Sequence, residues 1–590
     1  MSTRSSVPAE PGPGAKAAES VLSDAEARRR IACDLDHSLV VVAGAGTGKT
    51  TTLVKRVVEL VRQGTPLRDL AVITFTEAAA AELRLRVADA LSAARRAEPD
   101  NQNLAIAVEE VDEAALCTLH AFAQRMLVEH ALAAGLPPGF DVLDELSDRV
   151  DLETRLDVFT DQLLDDLSAE PMLLRGFALG LGESAMVELA WCLHRHWDRL
   201  EDGGLEWIDA HRPPAGAMAA IDVTPVLDAL DRALALAGFC ANADDRLLEH
   251  LETDVAPARA MLAAAAHDEQ AVLPLLVGLR TFSCTIGRRE NWDMPVAEVR
   301  QACADAEAAR QELLADVRAP VLAELLARLA HFTVSAAAER AVEGRLTFHD
   351  LLVHARGLLR TDDAARAALR RRYRWLLVDE FQDTDPLQVE LAAWLSCSVE
   401  GSADVSDARP GALFVVGDPK QSIYRFRRAD IALFESVTAA VGDEVVLSTN
   451  FRSVPGIVAF VNAVFPSLFG DVPEPGQAIY HRLVANRLGL PARPGTAAVQ
   501  LSLAGIGADE PDRVELAPPP VVVVGRPVEG GVGEVRRIAA AELAQAIRRI
   551  RAEQWPVSDP DGVAAPRPAR WSDVAVLIPA RTALGSLEEA

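Results

Sequence analysis

The segment Ala43-Gly44-Ala45-Gly46-Thr47-Gly48-Lys49-Thr50 follows an apolar run, Leu39–Ala43, and opens a helical pattern. No other stretch of the chain restricts its fold so strongly. Glycines let backbone N–H groups curl around phosphates with no Cβ in the way, and a helix start adds positive potential. Lys49 can reach the β- and γ-phosphates of a nucleotide, and the Thr50 hydroxyl, followed by Thr51, can ligate Mg²⁺. The general pattern begins with glycine, whereas this chain has Ala43. A strand, a phosphate loop and a helix in that order predict an α/β fold with a doubly wound parallel sheet.

Further short apolar runs support that reading: Ala71–Phe75, Leu376–Val378, Leu413–Val416 and Val445–Leu447. Runs without polar alternation suit parallel strands buried on both faces. The second of them ends in Asp379-Glu380. In that position Asp379 would hold Mg²⁺ through water and Glu380 would orient and deprotonate the attacking water. The pair complements the phosphate loop and predicts an ATPase using ATP and Mg²⁺.

Between about 130 and 345 the strand-like runs vanish and alanine- and leucine-rich helical segments take over, which predicts a helical insertion. Its stretch Asp141–Glu170 carries eleven acids against two arginines, read as a solvated helix face. This block supplies much of the net charge of −28, a sign that taken alone opposes nucleic-acid binding. Binding is local, however, and arginines cluster around Lys420, Arg425, Arg427 and Arg428. A second cluster, Arg366, Arg370, Arg371, Arg372 and Arg374, reads equally well as DNA contact or solvated helix face. Only four lysines occur in the chain, and two of them are Lys49 and Lys420. The seven cysteines form no Cys-x-x-Cys pair, which argues against a disulfide framework or zinc ribbon and for a reducing cytoplasm. No apolar run reaches the ~18 residues of a membrane span, so no membrane partner is expected. Residues 1–20 read as a flexible tail without a secretory h-region. Loops rich in Gly, Pro and Asp are expected at 401–411, 505–520 and 555–570, strands at Val521–Val524 and Asp573–Ile578, and a helix from about Glu534 to Arg551.

The sequence from Asp379 through Pro386, Asp-Glu-Phe-Gln-Asp-Thr-Asp-Pro, resembles motif II of the UvrD/RecB-like superfamily 1 DNA helicases. Others follow in family order: Ile73-Thr74-Phe75-Thr76 resembles motif Ia, Thr118–Phe122 motif Ib, Gly417–Arg427 motif III, and Asn450-Phe451-Arg452-Ser453 motif IV. Leu346–Leu352 is similar to a segment of the RecB and AddA branch. The resemblance covers roughly residues 20–590. It implies a RecA-like P-loop NTPase domain in two parts, 21–130 and 346–440. A large all-helical insertion (subdomain 1B-like) would occupy 131–345, and the beginning of a second RecA-like domain 441–590. It implies that Gln421 senses the γ-phosphate, Arg452 contacts it from the second domain, and Phe451 stacks on adenine. Phe75, Thr76, His120, Phe122, Tyr424 and Phe426 would meet the DNA strand, where bases stack on aromatic faces regardless of sequence. Core packing is the competing reading for Phe122 and Phe426.

The chain departs from the family pattern at three positions. Glu26 stands where a glutamine reads adenine, Ala78 where motif Ia has lysine, and Arg428 where glycine is usual. Motifs V and VI, and a C-terminal nuclease domain, are not found, so the chain resembles the N-terminal part of a longer helicase. The expected function is an ATP-dependent 3′–5′ DNA helicase of repair or recombination in the cytoplasm. It would act on single-stranded and duplex DNA, with a second helicase/nuclease subunit or C-terminal polypeptide as partner. The alternative is an ATP- and DNA-binding module without efficient turnover. A generic P-loop kinase or ATPase acting on a small substrate is disfavoured by Gln421 and Asn450–Ser453.

Overall fold

The computed structural model describes residues 22–212, 218, 220–399, 401–469, 476–487, 530–557 and 566–590. The tail at 1–20, the loop at 505–520 and the strand expected at Val521–Val524 lie outside them. The chain divides into two compact units, residues 1–126 with 355–590, and residues 127–354.

The first unit is built on a parallel sheet of six strands. These are β1 Leu39–Ala43, β2 Leu70–Thr74, β3 Ala115–Thr118, β4 Trp375–Val378, β5 Leu413–Gly417 and β6 Glu444–Leu447. Their spatial order is β3-β2-β4-β5-β1-β6. Every residue of β1, β2 and β5 is buried, which is why these strands are apolar throughout rather than alternating. Helix α1 (Ala25–Cys33) precedes β1, α2 (Lys49–Arg62) follows it, and α3 (Glu77–Ala97) follows β2. Leu53, Val57, Leu60 and Val61 of α2 and Leu83, Val87 and Leu91 of α3 form one core with the strands. Four expected strands extend by a residue or shift by one, and β3 is additional. The strand expected at Val445–Leu447 was assigned to a second motor domain beginning at 441. It is instead the edge strand of the first sheet, paired with β1 from Val40↔Glu444 to Ala43↔Leu447. Beyond it, the described strands of this unit are two short pairs: Thr449–Asn450 with Val484–Ala485, and Pro556–Val557 with Arg567–Pro568. The expected helix runs Val532–Ala552. Residues 574–578 form no strand: Trp571–Asp573 is a short 3₁₀ turn, and among the described residues no strand pairs with 574–578.

The second unit is helical, as the insertion was expected to be. Its spine is α4 (Val296–Glu343), 48 residues long. One 18-residue window of α4 reaches membrane-like hydropathy, contrary to the sequence expectation. The physical reason is core duty: Val299, Cys303, Ala306, Leu314, Val321 and Leu329 pack into the insertion's own hydrophobic cluster. The two ends of the insertion meet as a parallel pair, Asp141–Val142 with Arg345–Leu346. Inside, Arg340 and Asp350, both fully buried, form an ion pair at 2.8 Å, and Asp350 also accepts from Trp197 Nε1 at 2.8 Å. The acidic stretch is mostly exposed, but Asp151 is buried and binds Arg155 at 2.9 Å and Arg345 at 3.0 Å.

Candidate nucleotide and DNA-binding site

In a doubly wound sheet, ligands bind beyond the carboxyl ends of the strands. Here β1 ends in the glycine loop, β2 in Phe75-Thr76, β4 in Asp379-Glu380 and β5 in Asp418. Sequence order scatters these groups over nearly 400 residues, and parallel pairing collects them along one edge.

The loop Gly44–Gly48 turns directly into α2, whose first residue is Lys49. Gly46 has φ +77°, and a Cβ there would lie 2.5 Å from the Arg452 Cβ. The loop is thus tight on both counts, and the motif IV segment is what presses against it. Asn450 Nδ2 donates to the Ala45 carbonyl at 2.7 Å, and the Phe451 amide donates to the Gly46 carbonyl at 2.8 Å. Thr47 is buried and turns its hydroxyl back onto the Gly44 carbonyl, 2.8 Å away. Ala43 is buried as the last strand residue, and Thr51 is exposed on α2.

Lys49 Nζ donates to Glu380 Oε2 at 2.5 Å, joining the loop to the carboxylate pair. Glu380 has φ +51°, a left-handed backbone that costs a non-glycine residue roughly 1–2 kcal/mol. Asp379 holds the turn by accepting the Glu380 amide at 3.0 Å. Burial, reinforced by the charge of Glu380, pushes the Asp379 carboxyl up to about 6, against the pull of Lys49. The same two causes raise Asp383 to about 6. A buried acid that ionises reluctantly beside a phosphate loop is suited to a cation that would supply the missing positive charge.

From Glu380 a chain of polar contacts leads to motif III. Gln382, buried, donates to Glu380 Oε2 at 2.8 Å and accepts the Asp418 amide at 2.8 Å. Asp418 in turn accepts from Gln421 Nε2 at 2.6 Å and pairs with Lys420 at 2.7 Å. Lys420 is therefore committed to a buried carboxylate rather than standing open to DNA phosphates. Among the second arginine cluster, Arg366 is buried and Arg370 donates to the Trp394 carbonyl at 2.7 Å, so those two serve the fold.

Phe75 and Tyr424 pack with tilted rings, their centroids 4.9 Å apart, and Phe426 lies 5.8 Å from Tyr424. Phe426 is 79% exposed and Ile423 70% exposed, which excludes core packing for Phe426. Thr76 is exposed and caps α3 by accepting the Ala79 amide at 3.1 Å. His120 is half-buried at the start of the helix after β3. Phe122 corrects the sequence expectation: it is fully buried, edge-on to Tyr373 at 4.8 Å, and its ring cannot meet a DNA base. Arg428, where the family has glycine, sits at φ +69°, a left-handed turn that glycine would adopt without strain.

Two residues that sequence reasoning passed over complete the loop. Asp24 and Arg28 form a two-pronged pair at 2.8 Å. Arg28 also donates to the Thr47 carbonyl at 2.8 Å and lies 4.9 Å over the Phe451 ring. Asp24 accepts the Thr449 amide at 2.9 Å. Glu26, which the resemblance sets where a glutamine would read adenine, is exposed and pairs with Arg29 at 2.6 Å. The local signal was only an acid and an arginine four apart. Two of their partners, Thr449 and Phe451, lie over 400 residues away.

The fold and site define a domain of the P-loop α/β class, with a glycine loop between a buried parallel strand and a helix. The UvrD/REP helicase N-terminal domain matches residues 23–441, and the chain belongs to that family. It is 27% identical to an ATP-dependent helicase/nuclease subunit of Lacticaseibacillus casei, the match covering 88% of this chain and 45% of the relative. For the protein of that name from Moorella thermoacetica the identity is 28%, over 84% and 39%. For that from Latilactobacillus sakei it is 25%, over 92% and 64%. The chain thus spans about half the length of the curated relatives it matches.

Proposed function

We propose that this chain is the ATP-hydrolysing motor part of a cytoplasmic DNA helicase of repair or recombination, moving 3′ to 5′ along single-stranded DNA. The carrying observation is the convergence on one loop: Lys49 reaches Glu380 while Asn450 and Arg452 press on Gly46. In this reading the loop amides and Lys49 bind the phosphates of ATP, and Thr50 with Asp379 would hold Mg²⁺, whose charge would offset that of the phosphates. Glu380 orients the attacking water, and Arg452 contributes a positive charge from the second motor domain. Gln421 senses the γ-phosphate and passes the signal to the Phe75–Tyr424–Phe426 platform. Phe451, under Arg28, offers its ring to the base. The first motor domain comprises 21–130 and 346–447 and the insertion 131–345, with the second motor domain opening at Ser448. Relatives are named as subunits of a helicase/nuclease, and we extend to this chain duplex DNA as substrate and a partner subunit.

The test is steady-state ATP hydrolysis with and without single-stranded DNA, and with Lys49→Ala as control. DNA-stimulated turnover that Lys49→Ala abolishes supports the reading. Unchanged turnover in that variant would sink the phosphate assignment. Polarity is read from duplexes carrying a 3′ or a 5′ tail, and unwinding only from the 5′ tail would reverse the proposed direction.

A further inference from the structure

Two donors hold Glu380 by one oxygen. Lys49 Nζ and Gln382 Nε2 both reach Oε2, at 2.5 and 2.8 Å, and among the described residues Oε1 takes no hydrogen bond. In the motor reading Lys49 turns to the phosphates of ATP. Gln382 is then the side chain left to keep this carboxylate in place. A reacting group displaced by about 1 Å can lose roughly a hundredfold in rate, so whatever fixes Glu380 bears directly on hydrolysis.

Gln382 is itself fixed. It is 2% exposed, and both ends of its amide are occupied. Its Nε2 donates to Glu380 and, at 3.3 Å, to Asp383 Oδ2, while its Oε1 accepts the Asp418 amide at 2.8 Å. Turned over, the amide would set its oxygen against two carboxylates and its nitrogen against an N–H, so a single orientation is satisfied. Gly417 leaves the space this needs, since a Cβ there would lie 2.7 Å from Gln382 Oε1. The other half of the residue faces the aromatic platform. The Gln382 backbone carbonyl accepts from Ser422 Oγ at 3.0 Å, two residues ahead of Tyr424. Asp418, whose amide Gln382 holds, bonds Gln421 through its carboxylate at 2.6 Å. One buried residue thus joins the carboxylate at the end of β4 to the segment bearing Tyr424 and Phe426, a contiguous polar path of the kind that can carry coupling.

We propose that Gln382 is the positioning residue through which DNA on the aromatic platform sets Glu380 for hydrolysis. This role rests on the motor reading and adds a return path to it. Gln421 carries the state of the nucleotide to the platform, and Gln382 brings the state of the platform back to the water-orienting carboxylate. A strand pressing on Tyr424 and Phe426 shifts Ser422 and Asp418. Gln382, close-packed and bonded at both ends, moves Glu380 with them. With the link cut, ATP is hydrolysed at a rate that DNA hardly alters.

The test is steady-state ATP hydrolysis by the full 590-residue chain, with and without saturating single-stranded DNA, read as the ratio of the two rates. Gln382→Met keeps the length of the side chain and removes both amide contacts. Ser422→Ala trims only the contact to the backbone carbonyl. The ratio should fall roughly fivefold or more in Gln382→Met and roughly twofold in Ser422→Ala, the weight of hydrogen bonds made better in one state than in the other. Affinity for single-stranded DNA, followed by fluorescence anisotropy, should remain that of the parent. Lost packing alone would slow both rates by one factor and leave the ratio untouched, which separates coupling from structural support. Melting curves identify a variant that fails to fold, and the other then decides. A parental ratio in either folded variant would overturn the proposal. A parent chain without DNA-stimulated turnover that Lys49→Ala abolishes is a different result, and it would remove the motor reading and this role together.

Discussion

Glu380→Gln should tighten nucleotide binding at the same time as it blocks hydrolysis. Lys49 cannot serve Glu380 and a phosphate with the same ammonium geometry, so the two compete. Their contact is 2.5 Å, with Lys49 11% and Glu380 34% exposed. At an effective dielectric of about 20, the gross attraction is roughly 6–7 kcal/mol. Desolvation and solvent screening at the more open Glu380 cancel most of it, leaving about 1–2 kcal/mol. Removing the carboxylate also removes its repulsion of the phosphates, an effect of the same sign. At about 1.4 kcal/mol per decade, the affinity should rise roughly five- to thirtyfold. The assay is calorimetric titration of a non-hydrolysable ATP analogue in EDTA, which keeps the metal's own attraction to Glu380 out of the measurement. An affinity for the Glu380→Gln chain equal to or below that of the parent would refute the competition. Gln382 would remain bonded to Asp418 in either case.

The same geometry sets further outcomes. Phe426→Ala should weaken single-stranded DNA binding by about 1–3 kcal/mol with almost no change in thermal stability. Phe122→Ala should instead destabilise the first unit by about 3–5 kcal/mol, and fluorescence anisotropy beside a melting curve separates the two. Mg²⁺-dependent nucleotide affinity should fall as pH drops through about 6. Asp379 and Asp383 are raised to that value by burial and so take up protons there, which a metal must displace. Since their folded-state values lie above the ordinary ones, each costs stability once ionised above about pH 6, and that cost is relieved on acidification. A magnesium titration followed by calorimetry at several pH values checks both signs. Asp350→Asn should destabilise the insertion by about 3–5 kcal/mol, because Arg340 would stay buried with its charge uncompensated. Limited proteolysis within 127–354 reports it.

What could be read in advance was what is local. The phosphate loop, the Asp379-Glu380 strand end and the apolar strands carry their chemistry within a few residues, and parallel pairing places them as expected. The reading of Phe122 failed because a motif outweighed a period: Leu119, Phe122, Ala123 and Met126 recur at helical spacing, and all four are buried. The domain edge was misjudged because a strand's sheet is set by its partner, and Glu444–Leu447 pairs with residues 400 positions earlier. The hold of Asp24 on the Thr449 amide and the Gln382–Asp418 link were illegible for the same reason. Each is a bond between segments whose nearness is decided only once the sheet has formed. The segment 574–578 shows the converse, since an apolar run with no described neighbour to accept its amides is no strand.

The clasp of Asp141–Val142 on Arg345–Leu346 has a consequence for the history of such chains. An excursion of some 200 residues is shut close to both of its ends by a pair of two-residue strands. Closing a loop costs only about 0.6 kcal/mol more each time its length doubles. With the mouth already fastened inside the insertion, whatever is added or lost between the fasteners changes that closure hardly at all. Helices there can be gained, shortened or rewritten under their own selection, as cargo sewn into a pocket.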